Sequence, residues 1–346
     1  MLVVFALVAA GACGGDDDAE SSANPGADAT TTEAAEPDAA ESDASESEST
    51  EADVDESAAT GTRTVEHELG TSEVPVDPQR VVVVDRRGTL AFLLDLGVEP
   101  VGALEASWLF GQPFHPAIAD QAEAAGVEAI DGTDGPDVEQ IAALEPDLII
   151  GMVRDMAGTE AILAETAPTI GLSWSFANPI DNVLMIGAMM GMEEEAEAVA
   201  GELSTALEEA AANATDAGTV SVLGLFGPDD IRVYRAGNLY GQLIQDLGGE
   251  VVPTEEELPL VDGEDVTYIS LEQIGVADGE KVISLVNLSS EEEGAHLEVV
   301  EQPLVQALPA FQSGQVLETD PQLAFGAAGV TGLHLMLDQL AEFLGS

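Results

Sequence analysis

The chain has 346 residues, 45% of them hydrophobic, which is enough for two domains with buried cores. Its formal net charge of −59 excludes binding to nucleic acid or anionic lipid through a basic surface. A single cysteine, Cys13, excludes an intrachain disulfide and a cysteine-based metal cluster. Eight residues are basic against 67 acidic ones, so the positions of the arginines are informative.

The first 13 residues predict a signal segment. Residues 1–12 form an apolar run too short to cross a bilayer, and it ends in small residues immediately before Cys13. This arrangement resembles the signal of bacterial lipoproteins, in which the cysteine is lipidated and becomes the first mature residue. Two features depart from that pattern: Ala10 stands where leucine is usual, and no basic residue precedes the run, which we explain by a start further upstream. The alternative is a free cysteine buried in a folded strand.

Residues 14–62 predict a disordered acidic tether. The segment is mostly Asp, Glu, Ser, Ala and Thr, and it contains no basic or aromatic residue. It cannot bury enough apolar surface to fold, and repulsion between its like charges extends it. We expect a spacer that holds a globular body away from a membrane anchor.

Residues 63–191 predict a first α/β lobe. In chain order, its predicted elements are a strand at 65–69, a strand buried on both faces at 80–84, a helix at 89–97, a strand at 100–104, a helix at 138–144 and a strand at 146–151. Strands and helices that alternate at this spacing indicate a parallel sheet. Ligands of such sheets bind beyond the carboxyl ends of the strands.

The strongest helix signal lies at 192–213. Alanine, leucine and glutamate dominate this stretch, and Glu193, Glu194 and Glu195 put negative charge at the positive end of the helix dipole. Apolar residues at three- and four-residue spacing form one stripe: Ala196, Val199, Leu203, Ala206, Leu207 and Ala210. Such a helix would be about 33 Å long, which is enough to bridge two lobes. The alternative is an ordinary surface helix.

Residues 214–346 repeat the α/β pattern. The predicted elements are strands at 219–226 and 231–235, a helix at 242–247, a helix start at 272–274, strands at 281–286 and 314–318, and a helix at 331–344. A Glu-Gln-Ile helix start followed by an apolar strand occurs in both halves. The sequence therefore predicts two Rossmann-like α/β lobes joined by a single long α-helix, with a ligand cleft between the lobes.

Basic and aromatic residues follow several predicted strands. Arg86 and Arg87 follow one strand and Arg154 follows another, so we expect them at one edge of the sheet. Such a cluster favours an anionic ligand, whereas each arginine taken alone could simply pair with an acidic residue. The two tryptophans, Trp108 and Trp174, fall in loops after strands, where they either line a cleft or pack in the core.

Six segments, in this order and spacing, resemble the substrate-binding proteins of bacterial ABC importers for ferric siderophores, cobalamin and haem, the class III periplasmic binding proteins. They are PVDPQRVVVVD, LLDLGVEPVG, DVEQIAALEPDLIIG, IGAMMGMEEEAEAVAGEL, ISLEQIGVAD and QPLVQALPAFQSGQVLETD. The resemblance covers about residues 65–344. It implies that the helix at 192–213 is the connector between two lobes and permits only small hinge motions.

The resemblance also implies two sets of functional residues. Members of the family present one glutamate per lobe to the permease, and the matching residues are Glu139 and Glu272. A glutamate near a helix start is also favourable on dipole grounds alone. The positions that match the ligand cleft are Arg86, Arg87, Trp108, Arg154, Trp174, Tyr234, Arg235, Tyr240, Asn287 and Phe325.

These features predict a monomeric, lipid-anchored protein on the outer face of the cell membrane. It would capture a ferric siderophore, an Fe(III) chelate, without a cofactor of its own and deliver it to an ABC importer permease. Arginines from both lobes suit an anionic ferric complex, and aromatic residues suit its organic faces. Cobalamin or haem binding is the nearest alternative.

Other classes of function have less support in the sequence. A bare metal ion needs converging ligands. His67, His115, His296 and His334 lie far apart along the chain, and we interpret them as surface or packing residues. No Gly-rich phosphate loop, Gly-x-Ser-x-Gly elbow or metal-ligand cluster occurs, so we do not expect an enzyme. The acidic tether is also compatible with a surface protein that has no transport role. The arginines expected at the cleft argue against that alternative.

Overall fold

The described part of the chain begins with a β-hairpin formed by β1 (Thr62–His67) and β2 (Gly70–Pro75). This computed structural model describes residues 61–86, 88–173, 178–259, 266–286, 290–324 and 329–345, all within one compact unit. The strand predicted at 65–69 ends earlier, at His67, because the chain turns at Glu68 and Leu69 to form the hairpin. The Glu68 N–H donates to the Gly171 carbonyl at 3.1 Å and thereby attaches the hairpin to the first lobe.

A parallel sheet of five strands forms the centre of the first lobe within the described residues. Its strands are β3 (Val81–Val83), β4 (Gly102–Leu104), β5 (Glu128–Ile130), β6 (Leu148–Met152) and β7 (Thr169–Leu172). Their spatial order is β5-β4-β3-β6-β7, with every pair parallel. The predicted valine strand is β3, and all three of its residues are buried because helices cover both faces.

Helices of the first lobe connect these strands. They are α1 (Thr89–Asp95), α2 (Ser107–Phe110), α3 (Pro116–Ala124), α4 (Val138–Ala143), α5 (Val153–Met156), α6 (Glu160–Thr166) and α7 (Pro179–Met190). The helix predicted at 192–213 follows as α8 (Glu193–Asn213).

The second lobe has a mixed sheet rather than a purely parallel one. Its strands are β8 (Thr219–Gly227), β9 (Asp230–Tyr234), β10 (Glu250–Val251), β11 (Val266–Ile269), β12 (Lys281–Leu285) and β13 (Val316–Thr319). Within the described residues the order is β11-β9-β8-β12-β13, with β10 beside β8. Strand β9 runs antiparallel to both β8 and β11, because a tight turn after Gly227 returns the chain directly along β8.

The helical elements of the second lobe are α9 (Leu239–Asp246), a 3-10 helix (Leu271–Val276), α10 (Ser290–Val300), α11 (Pro303–Gln306), α12 (Pro309–Ser313), α13 (Pro321–Ala324) and α14 (Gly329–Leu344). The two-lobed α/β fold predicted from the sequence is confirmed.

Helix α8 contacts both lobes. It packs against α7 of the first lobe and against α14 of the second. The contact with α7 is close because Gly187 has no side chain: a Cβ there would lie 2.3 Å from the Ala196 Cβ. Helix α14 also packs on α1, so one apolar core continues from the first lobe into the second. Burial on several sides of α8 and α14 stabilises the orientation of the lobes.

Candidate functional site

Two arginines converge on one carboxylate at the carboxyl edge of the first sheet. Arg86 follows β3, and Arg154 lies in the short helix α5 that follows β6. The Arg86 Nη1 lies 3.4 Å from Asp155 Oδ1, and the Arg154 Nε lies 3.5 Å from Asp155 Oδ2. The sequence predicted that these arginines meet, but it did not predict that an aspartate lies between them.

The Arg86 side chain lies over Gly132 in the loop after β5. Its Nη2 donates to the Gly132 carbonyl oxygen, while its Nε is buried and has no hydrogen-bond partner among the described residues. A Cβ at position 132 would lie 3.0 Å from this Nε. Glycine therefore permits the close approach of the guanidinium to this loop.

Asp155 is a largely buried carboxylate in a charged environment, and 10% of its side chain is exposed. Burial raises its pKa above the ordinary value and nearby Asp85 raises it further, whereas Arg154 and Arg86 act in the opposite direction. Asp85 itself is buried and accepts a hydrogen bond from the Thr89 N–H at 2.8 Å, which stabilises the start of α1. The positive charge of the two arginines is thus largely balanced within this edge.

A cavity of about 680 Å³ receives residues from both lobes. His115, at the start of α3, approaches Asp320, which follows β13, with 3.5 Å between His115 Nε2 and Asp320 Oδ2. The His115 Nδ1 accepts a hydrogen bond from the Ala117 N–H at 3.1 Å, so a neutral ring carries its proton on Nε2 and directs it to the other lobe. The carboxyl edges of the two sheets therefore face each other, as ligand binding between lobes requires.

A second histidine lines the same cavity. His296 of α10 is 3% exposed, and its Nδ1 lies 3.0 Å from the Leu225 carbonyl oxygen, which can only accept. Its Nε2 therefore faces Glu318 Oε1, 3.3 Å away, and that contact is favourable when a proton lies between the two atoms. The cavity also has apolar walls, which are formed by Leu297, Leu323 and Leu335.

Arg232 forms a third charged group near the carboxyl edge of the second sheet. It lies opposite Gly224, which pairs with the last residue of β12. Its guanidinium donates twice to the Asp230 carboxylate, each time at 2.7 Å, and these bonds raise its pKa. It lies between two aromatic rings, 4.8 Å from the centre of Phe226 and 5.2 Å from that of Tyr268.

Two residues predicted to contact the ligand, Arg235 and Tyr240, are buried within the second lobe. Arg235 is 3% exposed, and its guanidinium donates to the carbonyl oxygens of Pro253 at 2.6 Å, Thr254 at 3.2 Å and Leu258. Tyr240 is fully buried in α9, and its hydroxyl donates to the Asp320 carbonyl at 3.0 Å. Both residues support the second lobe from within, and burial raises the pKa of Tyr240.

Of the other predicted ligand residues, two more are described by the structure and four are not. Trp108 in α2 is 65% exposed and free to cover a ligand, whereas Tyr234 is buried beside Arg232, and burial raises its pKa. The remaining four lie outside the described residues, as does the predicted lipidation site: Arg87, Trp174, Asn287, Phe325 and Cys13.

Glu139 and Glu272 occupy equivalent places in the two lobes. Each is exposed in the first turn of a helical element that follows the carboxyl end of a strand. Asp137 caps the first of these helices and Ser270 the second. Hydrogen bonds from its own backbone N–H and from Ser270 lower the pKa of Glu272, which keeps this side chain anionic at neutral pH.

Sequence reasoning missed the histidines, the acidic partners and Arg232. His115 and His296 are 181 positions apart, so no spacing signal joins them; the fold alone does. Asp230 and Arg232 are two positions apart on one strand and therefore share a face, which is a signal that the alternation of β9 contains. Among the described residues, no group of three or more His, Cys, Asp or Glu side chains is placed to hold a metal ion.

Comparison with known proteins gives a consistent family assignment. A family profile described as periplasmic binding protein matches residues 80–323. A probable siderophore-binding lipoprotein of Bacillus subtilis is 28% identical, with 83% of this chain and 89% of that protein covered. An iron(3+)-hydroxamate-binding protein of the same organism is 27% identical, with 84% and 88% covered.

The fold is also found among solved structures. The Staphylococcus aureus protein SirA, solved in complex with staphyloferrin B, superimposes with a TM-score of 0.67 at 23% identity, with 82% of this chain and 98% of that chain covered. At this identity the likeness concerns the fold. Within the residues described here, no helix combines the length and apolar character needed to span a bilayer.

Proposed function

Because this chain belongs to the periplasmic binding protein family, we propose that it captures a ferric siderophore between its lobes and delivers it to an ABC importer. The observation that carries the proposal is the cavity to which both lobes contribute, where His115 of the first lobe approaches Asp320 of the second. Two similar proteins are named for binding a siderophore and an iron(3+)-hydroxamate. A volume of about 680 Å³ suits a ligand of the size of a small chelate.

The chemistry of the cleft supports an oxygen-rich ligand. The part-exposed guanidinium of Arg86 can donate to ligand oxygens, and the exposed ring of Trp108 offers an apolar face. Cobalamin or haem remains the second candidate, because the cavity also has apolar walls. The names of the similar proteins favour an iron chelate over either. We propose binding rather than catalysis, since those names describe binding.

Delivery requires contact with the permease. We propose that Glu139 and Glu272 provide it, because both are exposed and each follows a strand at the edge of its lobe that bears the cleft. A carboxylate on each lobe would let the permease recognise both lobes at once through arginines.

We also propose that lipid on Cys13 anchors the protein on the outer face of the cell membrane, with residues 14–62 as its tether. The support is the apolar run before Cys13 and the description of one relative as a lipoprotein. Monomeric behaviour is expected, because the cavity is built from the two lobes of one chain.

Tryptophan fluorescence tests the binding proposal, since the chain has two tryptophans and Trp108 is exposed. Trp108 lies two residues from Phe110, whose ring contacts that of the cavity residue His115. Ferric catecholate, hydroxamate and carboxylate siderophores are added in separate titrations. Cobalamin and haemin are titrated in the same way, because they represent the second candidate function. We expect saturable quenching by one ferric siderophore, reduced in Trp108→Phe. Quenching by cobalamin or haemin alone would replace the proposal with the second candidate, and no response to any of the compounds would refute both.

A further inference from the structure

We infer that this protein has a second ligand site, for a small organic cation with an apolar body, where both lobes meet the connecting helix α8. A cavity of about 280 Å³ lies there, between α7 of the first lobe, α8, and the helices α9 and α14 of the second lobe. Among the described residues, it shares no lining residue with the cavity at His115. The inference therefore does not rest on the proposed function.

The walls of this cavity are apolar. They are formed mainly by leucine side chains of three helices: Leu203 and Leu207 of α8, Leu243 of α9, and Leu333 and Leu337 of α14. A water molecule among these walls finds few hydrogen-bond partners, because a buried water needs about two to four polar neighbours. Replacing such water by an apolar group is favourable. An apolar cavity of about 150 Å³ accommodates benzene, so this one has room for about six to ten carbon atoms.

The opening of the cavity carries negative charge from both lobes. Asp181 in the first turn of α7 and Asp246, the last residue of α9, are both exposed and line the cavity. Neither carboxylate has an ion-pair partner among the described residues, and none of the described residues that line the cavity is basic. A positive charge at the opening is attracted by both carboxylates, whereas a second negative charge is repelled.

Asp246 lies at a position where a helix disfavours an acid. The C-terminal end of a helix carries partial negative charge, so a carboxylate there is unfavourable and a cation is favourable. The dipole of α7 favours Asp181 at its N-terminal end, but the dipole of α9 opposes Asp246. A bound cation would relieve this repulsion. Asn178, which begins α7 without a side-chain capping bond, adds an amide oxygen that can accept from an ammonium N–H.

Apolar walls and an acidic opening together define the class of ligand. An alkylammonium ion of about six carbons would place its chain among the leucines and its charged group at the opening. An inorganic cation would leave the leucine walls without an apolar partner. A fatty acid of the same length would bring a further carboxylate beside Asp181 and Asp246.

The inference is tested by titrating the full chain with n-hexylammonium, n-hexanol and hexanoate, followed through the methyl NMR signals of Ile180 and Leu207, which both line the cavity. We expect saturable shifts with n-hexylammonium, at least about fivefold weaker binding of n-hexanol, and no measurable binding of hexanoate. Shortening the chain to n-butylammonium should weaken binding by about fourfold for each methylene removed. Methylammonium controls for the general attraction of cations to this acidic chain and should leave both signals unshifted. Binding of n-hexanol as tight as that of n-hexylammonium, or no saturable shift with n-hexylammonium, would overturn the inference.

Two pairs of variants locate the site. Asp246→Asn should weaken binding of n-hexylammonium by at least about threefold and leave that of n-hexanol within about twofold. Asp120→Asn, which removes an exposed carboxylate of α3, should change neither. Leu207→Trp fills the cavity and should weaken binding of n-hexylammonium by at least about tenfold, whereas Leu304→Trp, at an exposed position of α11, should not. Equal responses of the two aspartate variants, or unchanged binding by a folded Leu207→Trp protein, would contradict the inference.

Discussion

The carboxylate of Asp95, the last residue of α1 in the first lobe, accepts a hydrogen bond of 2.7 Å from the backbone N–H of Val330 in the second lobe. Val330 lies in the first turn of α14, and the Thr331 hydroxyl lies 3.3 Å from the same carboxylate. One lobe thus provides a cap for the C-terminal helix of the other, where the helix dipole favours negative charge. This contact helps to fix the orientation of the lobes.

Replacing Asp95 should change how stability depends on pH. Burial raises the pKa of Asp95 to about 6, with hydrogen bonds from Val330 and Thr331 opposing the shift. The unfolded chain releases this proton near pH 4, so the folded state loses stability as pH rises from about 4 through 6. We expect the unfolding free energy of Asp95→Asn relative to wild type to increase by up to about 3 kcal/mol over that range. Urea denaturation at several pH values measures it.

Asp120→Asn, on the exposed side of α3, controls for the loss of one negative charge from this acidic chain. If Asp95→Asn and wild type differ by a constant amount from pH 4 to pH 7, the carboxylate does not titrate as described.

Arg235 should act on stability and not on ligand affinity. Arg235→Gln leaves the buried carbonyl oxygen of Pro253 and the part-buried carbonyl oxygen of Leu258 without their donors, which should cost about 2–4 kcal/mol of unfolding free energy. Arg80→Gln is the matched control, because Arg80 also donates to backbone carbonyls but is exposed, and it should cost less than about 1 kcal/mol. An Arg235→Gln protein that keeps its stability but binds the ligand more weakly would contradict this prediction and support a role for Arg235 in ligand binding.

Gly132→Ala should displace Arg86 without unfolding the lobe. The new Cβ would lie 3.0 Å from the Arg86 Nε, so the guanidinium must shift by a few tenths of an ångström, which changes its contacts with Gly132 and Asp155. We expect affinity for the ferric ligand to fall by about 3–10-fold, because the donor geometry is lost, with a stability change below about 1 kcal/mol. Gly201→Ala, whose Cβ meets no neighbouring atom in α8, should leave affinity unchanged. Equal affinities of the two variants would remove Arg86 from the binding site.

The elements that the sequence predicted well are those with strong local signals. The valine run of β3 and the alanine and glutamate pattern of α8 specify their structures through propensity and periodicity. The antiparallel placement of β9 was missed, because an apolar run does not reveal the direction of its partner. The hairpin of β1 and β2 was missed for the same reason.

The site was predicted less well because it depends on pairings between distant residues. Tyr240 follows a predicted strand and was placed in the cleft, yet it shares a helix face with Leu243 and Ile244 and is buried with them. The spacing of three and four residues from Tyr240 to Leu243 and Ile244 is visible in the sequence and could have predicted that the three side chains share a buried helix face. The contact between His115 and Asp320 was not, since it joins two lobes through the complete fold.

The two exposed glutamates give a prediction about delivery. Combined replacement of Glu139 and Glu272 with alanine should leave ferric-ligand affinity within about twofold and reduce importer-dependent iron uptake by at least about tenfold, because both lobes lose their permease contact. Glu202→Ala with Glu208→Ala, two exposed glutamates of α8, controls for the charge change. Normal uptake by the Glu139 and Glu272 variant would place permease docking elsewhere.

The most direct test is a calorimetric titration of the wild-type protein and of Ala117→Trp with ferric siderophores. Ala117 lines the cavity between the lobes beside His115, so an indole there occupies the space proposed for the ligand. We predict one ferric complex bound per chain in the wild type and at least about 100-fold weaker binding in a folded Ala117→Trp protein. Unchanged affinity in that variant, or no heat of binding with any ferric siderophore in the wild type, would contradict the account.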